Sequence, residues 1–190
     1  MIKQSPYESK DITEWEAITK ELIEKHPLYS VIVDMSLRSW DSILNSKINT
    51  YLNLKISSMN ISPQSLGSLL HDIIPEYIVR NTSGFRKGDN TEKDLICLSN
   101  DFFSTEIKTS SQKNIYGNRS YAKTDEGRVK SGYYLAINFD KLSVDNPKIR
   151  QIRFGWLDYS DWKAQASETG QQASLNKDAL RYKLITLYQE

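Results

Sequence analysis

The sequence is poor in cysteine, in histidine and in net charge. Its one cysteine, Cys97, has no partner for an internal disulfide and cannot build a thiolate zinc site alone. No apolar run approaches the ~18 residues that a bilayer-spanning helix needs. The opening stretch MIKQSPYESK lacks the apolar centre of a signal peptide. The expectation is a soluble, cytoplasmic protein with no membrane contact. Internal repeats and low-complexity tracts are also missing. With 38% hydrophobic and 26% charged residues, the chain is globular rather than disordered. Its 190 residues suit a single domain, 1–190, with a real core.

Net charge is only +1, but it is unevenly spread. Residues 1–79 hold seven Lys and Arg against ten Asp and Glu, while residues 80–190 hold eighteen against fourteen. Between Ile107 and Thr124 stand Lys108, Lys113, Arg119 and Lys123 with no acid among them. A basic stretch beside an acidic half suits a surface that faces phosphate. Charge alone equally fits a plain solvated loop.

Residues 1–60 read as helical. Asp11 and Glu14 form a capping-box pattern ahead of Trp15, Ile18 and Leu22, and Pro27 follows the end. Val33, Leu37, Trp40, Leu44 and Ile48 make a second helical stripe. A third helix starts at Ser62 as N-cap with Pro63 in the first turn. Its apolar face is Leu66, Leu69, Leu70, Ile73, Ile74 and Tyr77, and Pro75 should kink or end it. Beyond residue 93 the pattern changes to strands: 94–98, 102–110, 133–139, 152–159 and 181–188. Ser99, Asn100 and Asp101 form the turn between the first two. Helices followed by a hairpin and more strands predict an α/β fold of the α+β variant, with a mixed central sheet flanked by helices.

Chemistry concentrates in the hairpin. Glu106 and Lys108 flank Ile107, so they project on one face of the strand while Ile107 reaches a core on the other. Antiparallel pairing brings Asp94 to the same end as Glu106. Two close carboxylates repel unless a cation lies between them. Mg²⁺ fits, since it takes oxygen ligands from one or two carboxylates plus substrate phosphate, and the Ile107 carbonyl offers another oxygen. Lys108 would then face the attacking water or the phosphate, an arrangement for metal-assisted phosphodiester hydrolysis. The acid–any–lysine triplet alone is a weak signal, because Glu8–Lys10 and Asp161–Lys163 repeat it. The plain alternative is a solvated hairpin face with an ion pair worth ~0.2–1 kcal/mol.

Asp94 with Glu106–Ile107–Lys108 twelve positions later resembles the signature of the PD-(D/E)XK nuclease superfamily. The stretch 84–122, GFRKGDNTEKDLICLSNDFFSTEIKTSSQKNIYGNRSYA, is similar to type II restriction endonucleases, most of all the ScaI-type group. RFGWLDYSDW (153–162) and GQQASLNKDALRYKLITLY (170–188) resemble the C-terminal part of that group. The resemblance spans roughly residues 60–190. It implies a nuclease core over 61–190 and an enzyme that cuts duplex DNA at a short palindrome, with Mg²⁺, as a homodimer. Lys93 stands where the superfamily often has proline. The superfamily often adds an acid from the preceding helix, for which Glu76 is the candidate; the alternative is a solvated helix-end acid.

Arg80, Arg86 and Lys87 flank the glycines of RNTSGFRKGDN and are candidate phosphate or base contacts. Ser110, Gln112, Lys113, Asn114, Asn118 and Arg119 follow the catalytic strand. Arg119 is the expected guanine reader, with Asn114 and Asn118 positioning it or reading adenine, and Lys113 a phosphate contact. Gln171, Gln172 and Ser174 form a second candidate group. His26 and His71 read as surface or helix-end residues. Cys97, Trp15 and Trp40 read as core, and Trp156 and Trp162 as core or dimer contact. A repair or junction-resolving nuclease would keep Asp94, Glu106 and Lys108. A non-catalytic DNA-binding module has no need of the carboxylates.

Overall fold

The structure, a computed structural model, describes residues 4–49, 51, 53–122, 130–167 and 169–190. Lys123 of the basic stretch lies outside the described residues. Asp11 caps a 3-10 turn, Ile12–Glu14, and the reciprocal bonds of the capping box are in place. Helix α1 (Trp15–Glu24) follows and stops ahead of Pro27. Helix α2 spans Ile32–Asn45.

The buried face of α2 is not the expected stripe. It consists of Ile32, Met35, Ser36, Ser39, Trp40 and Ile43, while Val33, Leu37 and Leu44 are only partly covered. Ser36 and Ser39 turn inward because their hydroxyls donate to the carbonyls of Ile32 and Met35 four residues back. Apolar spacing alone misses such small, self-satisfied polar residues. Ile48 has left the helix for strand β1 (Lys47–Asn49), where it is exposed while Lys47 and Asn49 on either side pair with β2 (Leu54–Lys55). A small hairpin thus interrupts the helical reading of residues 1–60.

Helix α3 (Pro63–Asn81) starts as expected, with the Ser62 hydroxyl accepting from the Ser65 N–H at 3.1 Å. Leu66, Leu70, Ile74 and Ile78 are buried at a strict four-residue spacing. Pro75 does not end the helix, which runs on to Asn81. The missing hydrogen bond costs about 3 kcal/mol. Burial of Ile78, at about 1.5–3 kcal/mol, offsets much of that cost.

Strands β3 (Phe85–Lys87), β4 (Leu95–Cys97) and β5 (Thr105–Ser110) precede β6 (Tyr116–Asn118), β7 (Gly132–Phe139) and β8 (Ile149–Leu157). Then come β9 (Trp162–Ala164), β10 (Gln172–Leu175), helix α4 (Lys177–Tyr182) and β11 (Leu184–Gln189). The central sheet has six strands in the order β11-β8-β7-β5-β4-β3, in which only β5 and β7 run parallel. The expected mixed sheet with flanking helices is therefore present. A second sheet, β6-β10-β9, was not foreseen, because its strands are short and carry polar residues. The last strand begins at Leu184 rather than 181, since 177–182 is helical.

Both faces of the central sheet are covered. Tyr133, Leu135, Ile137 and Phe139 of β7 pack into the core shared with α1–α3. Tyr134 and Ala136 point the other way, into a second cluster with Tyr121, Trp162 and Ala173 from the small sheet and its neighbours. β5 follows the same alternation. Ile107 enters the helical core, and Glu106 and Lys108 face the small sheet.

Cys97, Trp40, Trp156 and Trp162 are buried, as core residues should be. His26 is no surface residue. It sits among Phe103, Tyr133 and Phe154, with ring centres 5.4, 4.6 and 4.9 Å away. Its Nδ1 accepts from the Leu28 N–H at 3.1 Å, and its Nε2 lies 2.8 Å from the Phe103 carbonyl. Together those bonds fix the neutral Nε2–H tautomer.

Candidate active site

β4 and β5 pair antiparallel with Leu95 opposite Thr105, so the next position out sets Asp94 across from Glu106. There a side chain takes over from the backbone ladder. The Ile107 N–H donates to Asp94 Oδ2 at 2.6 Å. A strand residue points its N–H and C=O toward the same neighbour, so the Ile107 carbonyl faces Asp94 as well.

Glu106 is 2% exposed. Lys108 Nζ donates to its Oε1 at 2.5 Å, and the Tyr121 hydroxyl donates to the same oxygen. The ammonium also lies 5.0 Å from the centre of the Tyr121 ring. The alternative of a solvated hairpin face does not hold, since Glu106 and Lys108 are covered here. Burial pushes Lys108 down, but the Glu106 and Asp94 carboxylates outweigh it and hold the ammonium above the ordinary lysine range. Burial pushes the Tyr121 phenol up to about 12, so it stays a donor.

Helix α3 supplies a residue that sequence reasoning set aside. His71 Nε2 lies 3.2 Å from Asp94 Oδ2, and its Nδ1 lies 3.5 Å from Asp72 Oδ1. Hydrogen bonding to Asp94 raises the His71 pKa despite burial. For Asp94, burial acts upward. The His71 bond, the charges of Lys108 and His71, and the Ile107 N–H act downward and hold the carboxyl below its usual range. The only sequence signal for His71 was its place one turn from the buried Leu66–Ile78 stripe.

His71, Asp72, Asp94, Glu106, Lys108 and Tyr121 line one cavity of about 490 Å³. Lys87 and Asn118 reach its wall. Glu76 is not brought to it. Its carboxylate pairs with Arg80 at 2.6 Å and lies 3.8 Å from Lys87 Nζ. Glu76 lies five positions past His71, which turns it about 140° round the helix from the side that meets Asp94. Among the described residues no group of three or more His, Cys, Asp or Glu is arranged to hold a metal. Asp94 and Glu106 offer carboxylate oxygens across the β4–β5 pair, and Ile107 between Glu106 and Lys108 offers a carbonyl. That hard, sparse set suits Mg²⁺, which keeps several of its waters.

The remaining sequence candidates scatter. Ser110, Gln112, Asn118 and Gln172 line a larger groove of about 1110 Å³ that shares His71, Asp72 and Lys108 with the first cavity. Arg86 is locked onto Glu92 by two bonds of 2.7 and 2.6 Å. Lys113, Asn114 and Gln171 are exposed, and none of them lines either cavity. The Arg119 guanidinium is engaged with backbone carbonyls at 2.6 and 2.9 Å.

The sequence model of the ScaI restriction endonuclease family matches residues 5–188. The type II restriction enzyme ScaI of Streptomyces caespitosus is 38% identical over 193 residues, covering 97% of this chain and 85% of that protein. No solved structure matches the chain. With the match running almost end to end, the chain belongs to the ScaI restriction endonuclease family.

Proposed function

We propose that Asp94, Glu106 and the Ile107 carbonyl hold a divalent metal, Mg²⁺ by its preference for oxygen, in this type II restriction endonuclease. When bound, the metal supplies a Lewis acid that eases deprotonation of water and offsets phosphate charge. Every other contribution comes from the chain. The Ile107 N–H and His71 hold the Asp94 carboxylate in one orientation. Lys108 carries a charge that the neighbouring carboxylates keep in place against burial, and it stabilises the negative charge that grows on the phosphate. Lys87 and Asn118, at the cavity wall, meet the DNA backbone and bases. A two-fold pair of subunits would present one such site to each half of a palindrome.

The observation that carries this reading is the meeting of Asp94, Glu106 and Lys108 in one cavity. Digestion of a sequenced plasmid with Mg²⁺, followed by sequencing of the ends, tests it. The wild type should cut at one fixed palindrome. Asp94→Ala, Glu106→Ala and Lys108→Ala should each lose cleavage while retaining the wild-type circular dichroism. Wild-type cutting by either carboxylate variant would remove the site from these residues. Cutting at branched junctions instead of a fixed sequence would favour a junction-resolving role.

A further inference from the structure

The small sheet carries a row of amide side chains. β10 pairs with β6 so that Gln172 lies opposite Asn118. On its other side β10 pairs with β9, Ala173 opposite Ala164, which carries Gln165 to the place beside Gln172. Directly opposed residues of antiparallel strands share a face. Asn118, Gln172 and Gln165 therefore form one line across β6, β10 and the position just past the end of β9. All three line the groove of about 1110 Å³ that opens into the catalytic cavity. Its far wall is the first half of α3.

The row is built rather than loose. Gln165 Nε2 donates to Gln172 Oε1 at 3.4 Å, and the Gln165 N–H donates to the Gln172 carbonyl at 3.1 Å. Gly170 makes room for the Gln165 side chain, since a Cβ at Gly170 would stand 2.4 Å from its Oε1 and 2.9 Å from its Cβ. Arg119 closes the turn from the neighbouring strand end. Its Nη1 lies 3.5, 2.6 and 2.9 Å from the carbonyls of Gln165, Ser167 and Gly170, and its own N–H donates to Gln171 at 2.7 Å. Those contacts engage the group that the sequence offers as a guanine reader.

An amide presents one donor and one acceptor side by side, the complement of the adenine N7 and N6 edge in the major groove. We propose that Gln165 and Gln172 read an adenine edge, and that Arg119 is a positioning residue that fixes their turn. This rests on the proposal that the adjoining cavity cuts duplex DNA.

Cleavage of a duplex library with randomised positions, with sequencing of the cut ends, gives the preference at each position of the site. Gln165→Glu and Gln172→Ala should lower the preference for an A·T pair at one symmetric pair of positions, by roughly 5- to 150-fold. The other positions should hold. Arg119→Ala should relax that same position, with binding to scrambled duplex unchanged. Arg119→Lys, which cannot span three carbonyls, should not rescue it. Unchanged preferences in both glutamine variants would overturn the proposal. Relaxation only at G·C positions would also overturn it. A general loss of cleavage at all sites for Arg119→Ala would overturn its positioning role. Failure of the hydrolytic site appears separately, as wild-type cutting by Asp94→Ala.

Discussion

A carboxylate that is 2% exposed survives inside a protein only when its partners replace water. Glu106 has an ammonium and a phenol on the same oxygen. The acid–any–lysine spacing was legible because strand alternation puts both side chains on one face. Their burial was not, because Tyr121, which packs on the pair, carries no local mark of its destination. Tyr121 holds both members of the pair, through its hydroxyl on Glu106 and its ring beside Lys108. Tyr121→Phe keeps the ring and removes only the hydroxyl. Losing a hydrogen bond to a charged group costs about 1.5–3 kcal/mol, so single-turnover cleavage should slow by roughly 10- to 100-fold. DNA affinity should stay close to wild type, and the fold should lose a comparable amount, about 1.5–3 kcal/mol, because the buried carboxylate has one donor fewer. An unchanged single-turnover rate would take Tyr121 out of the hydrolytic site.

Among the elements, the β4–β5 hairpin and the start of α3 were readable, since the turn after Leu98 and the Ser62–Pro63 cap are local signals. Pro75 misled, because a local breaker was overruled by the buried stripe on either side of it. His26 misled for the opposite reason. The residue itself looks polar, yet it pins the α1–α2 connection to the turn before β5 and to the aromatic core of β7 and β8. Burial lowers its pKa to about 4, from 6.5 in the unfolded chain. A depressed histidine contributes stability that is whole above the unfolded value and is lost as the pH falls through the folded one. Stability should therefore drop between about pH 6.5 and pH 4, by roughly 2–4 kcal/mol from this group. Urea denaturation at pH 7.5 and pH 4.5 measures the loss. His26→Gln should be less stable at pH 7.5 and show a smaller fall on acidification. An equal fall in the two proteins would clear His26 of the effect.

At the scale of the whole molecule, the proposed hydrolytic cavity lies where the central sheet, helix α3 and the small sheet meet. The net charge of +1 hides that placement. Two cations of the basic half are tightly paired, Arg80 with Glu76 and Arg86 with Glu92, and Lys87, 3.8 Å from Glu76, reaches the cavity wall. Lys87→Ala should weaken cognate and scrambled duplexes alike and reduce the salt dependence of binding by about one counterion. Titrations at two salt concentrations check it, and a loss confined to the cognate duplex would move Lys87 to the base-reading class. The alternation of β10 has a further consequence. Ala173 is buried beside Trp162, while Gln172 and Ser174 face outward. One strand is at once the wall of the chemistry and the floor of the groove. In evolutionary terms, change along it is cheap only at every second residue. A lineage that drifts toward a new target keeps the inward positions and rewrites the outward ones, so relatives with different targets should diverge in a comb-like pattern.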